Sequence, residues 1–191
     1  MEHPMPRGAW STATSSSSTE RARLTLAWQI LLLIGAGVLV AFLHESFRFP
    51  LKLPGHHGIE WFGILLLARL ASPLRPAALT VASGAVLGTA LFSAHGLQAT
   101  TAITYVLQAG VVDLVFFGLG RAMQQVWALV ALGALSHALA PLVKTVFQFG
   151  GAKAFGSLAQ GLGYPLATHL LFGACGAFAA WLCHRLTSRP D

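Results

Sequence analysis

The chain has 191 residues, of which 55% are hydrophobic and only 9% charged, a balance too apolar for a soluble domain and suited to a lipid bilayer. At about 20 residues per span, that length holds about six membrane helices with short connections and leaves no room for a separate soluble catalytic domain. The formal charge of +6 does not point to nucleic acid, because the basic residues are dispersed and no run of Lys and Arg interleaved with aromatics appears.

Residues 1–24 are rich in Ser, Thr, Pro and Gly, include the Ser15 to Ser18 run, and have no apolar period; that composition predicts a disordered cytoplasmic tail. The first apolar run, 25–43, is longer than a signal-peptide core and no Ala-x-Ala site follows it, so it is a retained helix. Further apolar runs lie near 59–73, 76–94, 100–120, 124–147 and 161–184, with Pro or Gly close to most boundaries. The expected fold is therefore an all-α integral membrane protein, a bundle of about six transmembrane helices over 25–187 with a short cytoplasmic tail at 188–191. The second run is short, bracketed by Glu60 and Arg69, and four or five spans are the alternative.

Orientation follows from charge. With the N-terminus inside, Arg7, Arg21, Arg23, Arg69, Arg75, Arg121, Arg185 and Arg189 fall at cytoplasmic ends, against Arg48, Lys52, Lys144 and Lys153 outside. That bias predicts an N-in, C-in topology. Cys175 and Cys183 are about 12 Å apart along one helix and form no Cys-x-x-Cys pair; both are expected to be buried apolar thiols. Small residues recur four apart at Gly37 and Ala41, Ala78 and Ala82, Gly84 and Gly88, Gly173 and Ala177, and Gly176 and Ala180. Such faces serve either internal packing or docking onto another membrane subunit.

The polar groups cluster. Leu53-Pro54-Gly55-His56-His57-Gly58-Ile59-Glu60-Trp61 sets a turn, two imidazoles, a carboxylate and an indole between two lipid-compatible runs. Helical rise places His137, His169 and Gln108 in the outer half of their helices, with Tyr105 and Tyr164 above them. Intramembrane ionisable groups are costly and usually face an interior or a cavity, so a substrate pocket under the turn is expected from His56, His57, Glu60, Trp61, Gln108, His137 and His169. The alternative for each is local: an interhelical hydrogen bond for His137 or His169, an ordinary interfacial loop for His56 and His57. Asp113 and Arg69 lie deeper at matching levels and are expected to form a structural ion pair.

Six short helices, the first extracytoplasmic loop Leu53-Pro54-Gly55-His56-His57-Gly58 and the small-residue faces resemble the substrate-binding S component of energy-coupling-factor transporters, over most of residues 25–187. The resemblance implies a bacterial inner-membrane protein whose first loop closes over a small vitamin-like solute or a metal ion in an outward-facing pocket. It further implies a transmembrane coupling subunit and ATPase subunits as partners. No G-x-x-x-x-G-K-[ST] sequence is present, so ATP chemistry belongs to those partners and no cofactor is expected on this chain. Whether a metal binds is open, since imidazoles suit cobalt or nickel as well as an organic solute.

Two other classes compete. Ala82-Ser83-Gly84-Ala85-Val86-Leu87-Gly88 resembles the serine motif of rhomboid intramembrane proteases, with His137 as a candidate base. Against it, Val81 stands where the motif begins with glycine, the chain lacks asparagine, and Ser83 falls in the third helix. A membrane assembly factor without a ligand would use the small-residue faces but leave the polar cluster idle.

Overall fold

The computed structural model describes residues 13–46, 53–94, 96–148 and 161–188, with side chains described from 22 onward except at Gln148. Residues 1–12 of the expected tail, Arg48, Lys52 and Lys153 of the expected outer charges, and residues 189–191 lie outside the described residues. Among the described residues all regular structure is helical: α1 (Ala13–Ser46), α2 (Gly58–Ala71), α3 (Ala77–Phe92), α4 (Ala99–Leu119), a 3-10 segment at Gly120–Gln124, α5 (Val126–Gln148) and α6 (Gly163–Thr187). The first helix starts at Ala13, inside the segment read from composition as tail.

Among the described residues four helical stretches are long and apolar enough to cross a membrane, Ala22–Ser46, Ala99–Gln124, Val126–Phe147 and Gly163–Thr187. The other two helices are shorter than the six-span reading requires. At about 1.5 Å per residue, the 14 residues of α2 and the 16 of α3 fall short of the roughly 30 Å hydrocarbon core. Their shortness is written in the chain between them. Ser72, before Pro73, adopts an extended conformation (φ −102°, ψ 133°), as steric conflict with the following pyrrolidine ring demands.

Two compact units divide the chain, residues 1–32 and 33–191. The described side chains of the first are largely exposed and include Leu24, Trp28, Leu31 and Leu32. The second is organised around α2, whose Trp61, Phe62, Leu65 and Leu66 are almost fully buried. Helix α3 adds a small-residue face of Ala77, Ala78, Val81, Ala82 and Ala85 to the same core.

The small-residue pairs are used within this bundle. A methyl group on Gly84 would collide with the Ile34 carbonyl of α1, and one on Gly173 with the Gly133 carbonyl of α5. A methyl on Gly176 would stand 2.7 Å from the Gly58 carbonyl of α2. Close backbone approach of this kind is what small residues permit between membrane helices. Cys175 and Cys183, expected to be buried, are exposed, because α6 turns Gly173, Gly176, Ala177 and Ala180 inward and the thiols fall on its other face.

At one end of the bundle Asp113 of α4 meets the start of α3. Its Oδ1 accepts from the Ala78 N–H at 3.1 Å and its Oδ2 from the Leu79 N–H at 2.9 Å. These are first-turn amides that no intrahelical carbonyl satisfies, and a carboxylate there also complements the helix dipole. Arg69 Nε lies 3.0 Å from Asp113 Oδ1, an ion pair off the line of a directed hydrogen bond, and its guanidinium sits 4.7 Å over the Phe116 ring. The pair expected from depth is thus present, and Asp113 also caps a helix from across the bundle, which no local spacing announced.

Candidate functional site

The opposite end is built down from the turn before α2. Gly55 has φ +78°, a left-handed conformation that glycine adopts without steric cost. The turn is fixed by the Gly58 N–H donating to Gly55 O at 2.8 Å and by His56 Nδ1 donating to Leu53 O at 2.7 Å. A side chain on Gly55 would run into the His169 ring at 2.7 Å, and one on Gly58 would strike His137. The two glycines therefore let the turn close down onto both imidazoles.

Those imidazoles come from α5 and α6, with ring centroids 4.7 Å apart. His137 Nε2 donates to Gly55 O at 3.0 Å, and His169 Nδ1 donates to Pro165 O at 2.7 Å. Since a carbonyl only accepts, these contacts fix the tautomer of each neutral ring. Both residues are 6% exposed.

Gln108 of α4 completes the frame. Its Oε1 accepts the Trp61 indole N–H at 2.8 Å, and its Nε2 donates to His137 O at 3.4 Å. That carbonyl needs a donor because Pro141, four residues on and inside α5, has no N–H to give it. Gln108 thus repairs a break in α5 while holding the Trp61 ring, which lies 4.7 Å from Tyr105 at a 50° tilt.

Between these groups lies a cavity of about 180 Å³, whose walls include His57, Glu60, Trp61, Gln108, His137 and His169. Six of the seven expected pocket residues therefore converge. His56 is not in the wall; its ring holds the turn and lies 3.9 Å from the His57 ring at a 39° tilt. Tyr164 is exposed and is not part of the cavity wall. The wall also holds His44, Thr101, Thr104 and Lys144, which the sequence reading did not single out as pocket residues. Spacing carried a signal for some of them: Lys144 follows His137 by two helical turns, and Thr101, Thr104 and Gln108 share one face of α4. A neighbouring cavity of about 200 Å³ shares His44, Thr101 and Tyr105 with the first and extends to Glu45, Thr89 and Ser93.

Electrostatically the site is mixed. His57 Nδ1 and Glu60 Oε2 are 3.8 Å apart, too far for a hydrogen bond, and neither has a hydrogen-bond partner. Burial, reinforced by the neighbouring His44 and His56, pushes the His57 imidazole down to about 3, so the ring is neutral at physiological pH. Among the described residues no three His, Cys, Asp or Glu side chains converge to hold a metal ion. Ser83 is exposed on α3 with its hydroxyl donating to Leu79 O at 3.0 Å, while His137 is bonded to the turn.

Comparison with family models, with curated proteins and with solved structures returned no match. The class that the fold itself defines is an all-helical protein with several helices fit for a membrane and a polar cavity at one end of its bundle.

Proposed function

We propose that the chain is the membrane-embedded capture subunit of an uptake transporter of the energy-coupling-factor type, taking a small organic solute into its polar cavity. The observation that carries this reading is the cavity of about 180 Å³ under the Gly55 to Gly58 turn, walled by side chains from α1, α2, α4, α5 and α6. Buried polar groups in an apolar bundle are expensive, and grouping them around an open volume is the arrangement a solute site needs. An organic solute is favoured over a metal ion because no three His, Cys, Asp or Glu side chains converge among the described residues.

Orientation supports capture from outside. Arg69, Arg75, Arg121 and Arg185 sit at the end opposite the cavity, and Arg69, Arg75 and Arg185 lie over the rings of Phe116, Phe117 and Trp181. Basic residues gather on the cytoplasmic side, and aromatic rings anchor at the interface, so the turn faces outward in the bacterial inner membrane. Energy for release inward is left to coupling and ATPase subunits, since this chain has no phosphate-binding loop. A rhomboid-like protease draws little support from an exposed Ser83 hydroxyl bonded within its own helix. An assembly factor gains little either, because the small-residue faces are packed inside the bundle.

The test is mass spectrometry of the purified chain for a co-purifying small molecule, followed by binding of that molecule to His57→Ala and His169→Ala variants. Capture predicts one solute whose affinity falls at least tenfold in both. Unchanged affinity in both would remove the cavity as its site.

A further inference from the structure

The second cavity has no part in the capture reading, yet it adjoins the first. Its volume of about 200 Å³ is close to the 180 Å³ of the first, and the two walls have His44, Thr101 and Tyr105 in common. Beyond those three it runs past Thr89 and Ser93 to Gly96 and Gln98, both exposed. It therefore reaches the surface where α3 ends and α4 begins. Hydroxyls and an amide along this wall can take over the hydrogen bonds that a polar solute gives up with its water.

The turns beside the two cavities differ in how they are held. A methyl group on Gly55 would stand 2.7 Å from the His169 ring, and one on Gly58 would strike His137. The Gly55 carbonyl is also bonded to His137 Nε2 at 3.0 Å. Opening the 53–58 turn therefore breaks contacts with α5 and α6. By contrast a methyl group on Gly96, at φ +69°, would meet nothing within 4 Å, and the Gly96 N–H donates to Ser93 O at 3.0 Å within its own turn. Entry past Gly96 leaves every contact of the 53–58 turn in place.

We propose that the second cavity is the antechamber of the first and that Tyr105 is the gate through which the solute passes between them. The proposal rests on the capture reading and adds its route. Of the three shared side chains, His44 packs against the His57 ring at 3.8 Å and Thr101 is too short to close a passage. Tyr105 lies across the junction. Its ring is 4.7 Å from Trp61, which walls the first cavity, and its hydroxyl reaches Thr89, which walls the second. Turning about χ1 to the other staggered position common in helices takes the ring off Trp61 and joins the two volumes.

The experiment follows a thiol placed in the inner wall, so it needs no knowledge of the solute. The full chain, with Cys175→Ser and Cys183→Ser, carries Thr104→Cys as the reporter in lipid nanodiscs, and its labelling by methyl methanethiosulfonate is timed by intact-mass spectrometry. Tyr105→Ala should speed labelling about tenfold, the scale of one lost aromatic contact, while Tyr105→Phe, which keeps the ring, should stay close to the parent rate. Ser93→Trp and Gln98→Trp, which narrow the antechamber at two separate points, should each slow labelling several-fold. His56→Ala, which unfastens the 53–58 turn, should leave the rate unchanged. Faster labelling in His56→Ala with no slowing by either antechamber tryptophan would move the entrance to that turn and overturn the proposal. So would slowing by Lys144→Trp alone, which would put the entrance at the exposed edge of α5, or one rate shared by every variant. These failures leave capture standing, which fails separately if no molecule co-purifies with the chain.

Discussion

The two ends of this bundle each hold polar groups in an apolar setting, and they treat them in opposite ways. At the Asp113 end the carboxylate is satisfied by two α3 amides and the Arg69 charge, and Arg69 covers an aromatic face although its Nε makes no directed hydrogen bond. At the cavity end the backbone repairs are complete, yet His137 Nδ1, His57 Nδ1 and Glu60 Oε2 are left without partners. The first pattern is that of a group retained for folding; the second is the pattern that the proposed capture of a solute requires. Burial alone did not separate them, since Asp113 and His137 are both nearly inaccessible.

The contrast is broken most forcefully at Asp113. Asp113→Leu leaves the Arg69 charge and two helix-start amides without their acceptor, and should cost about 3–5 kcal/mol in detergent unfolding experiments. A loss under 1 kcal/mol would mean the ion pair is not structural. Gln108→Leu comes next, at about 2–3 kcal/mol, because it strands both the Trp61 N–H and the His137 carbonyl that Pro141 leaves unsatisfied. Trp61→Phe removes only one partner of that chain and should cost about 1 kcal/mol, measured the same way. If Gln108→Leu costs no more than Trp61→Phe, the amide is not holding α5.

The smallest effect is in pH. His57 titrates near 6.5 when unfolded and near 3 in the folded chain, so between those values the unfolded chain binds more protons. Its contribution to stability is therefore full above about 6.5 and is lost as pH falls toward 3. Thermal melts across that window should show the decline, shallower in His57→Gln. Identical slopes in the two proteins would show that the ring is not shielded as the site geometry requires.

Much of this was legible in the chain. Apolar runs located α1, α4, α5 and α6, because their hydropathy is a property of local composition, and Pro73 and Pro76 marked the break between α2 and α3 through steric limits on their neighbours. Rise along a helix was enough to bring Gln108, His137 and His169 to one level and Asp113 to the level of Arg69. The second and third runs form helices of 14 and 16 residues, shorter than a roughly 30 Å hydrocarbon core, each with one buried face. Cys175 and Cys183 misled because an apolar residue is equally at home on an outward face.

Sequence by itself determined the apolar helical character, the charge asymmetry and the set of residues able to meet. Which of them meet was decided by the tertiary structure. Helix packing, at the close backbone approaches of Gly84 to α1 and of Gly133 and Gly173 between α5 and α6, brought His44 and Lys144 to the cavity wall, while His56 stays out of it. Tautomers were decided there as well, since a ring nitrogen donates or accepts only according to the carbonyl it finds. Axial depth is additive along a helix and can be counted from sequence, whereas the facing of a side chain depends on contacts between segments far apart in the chain.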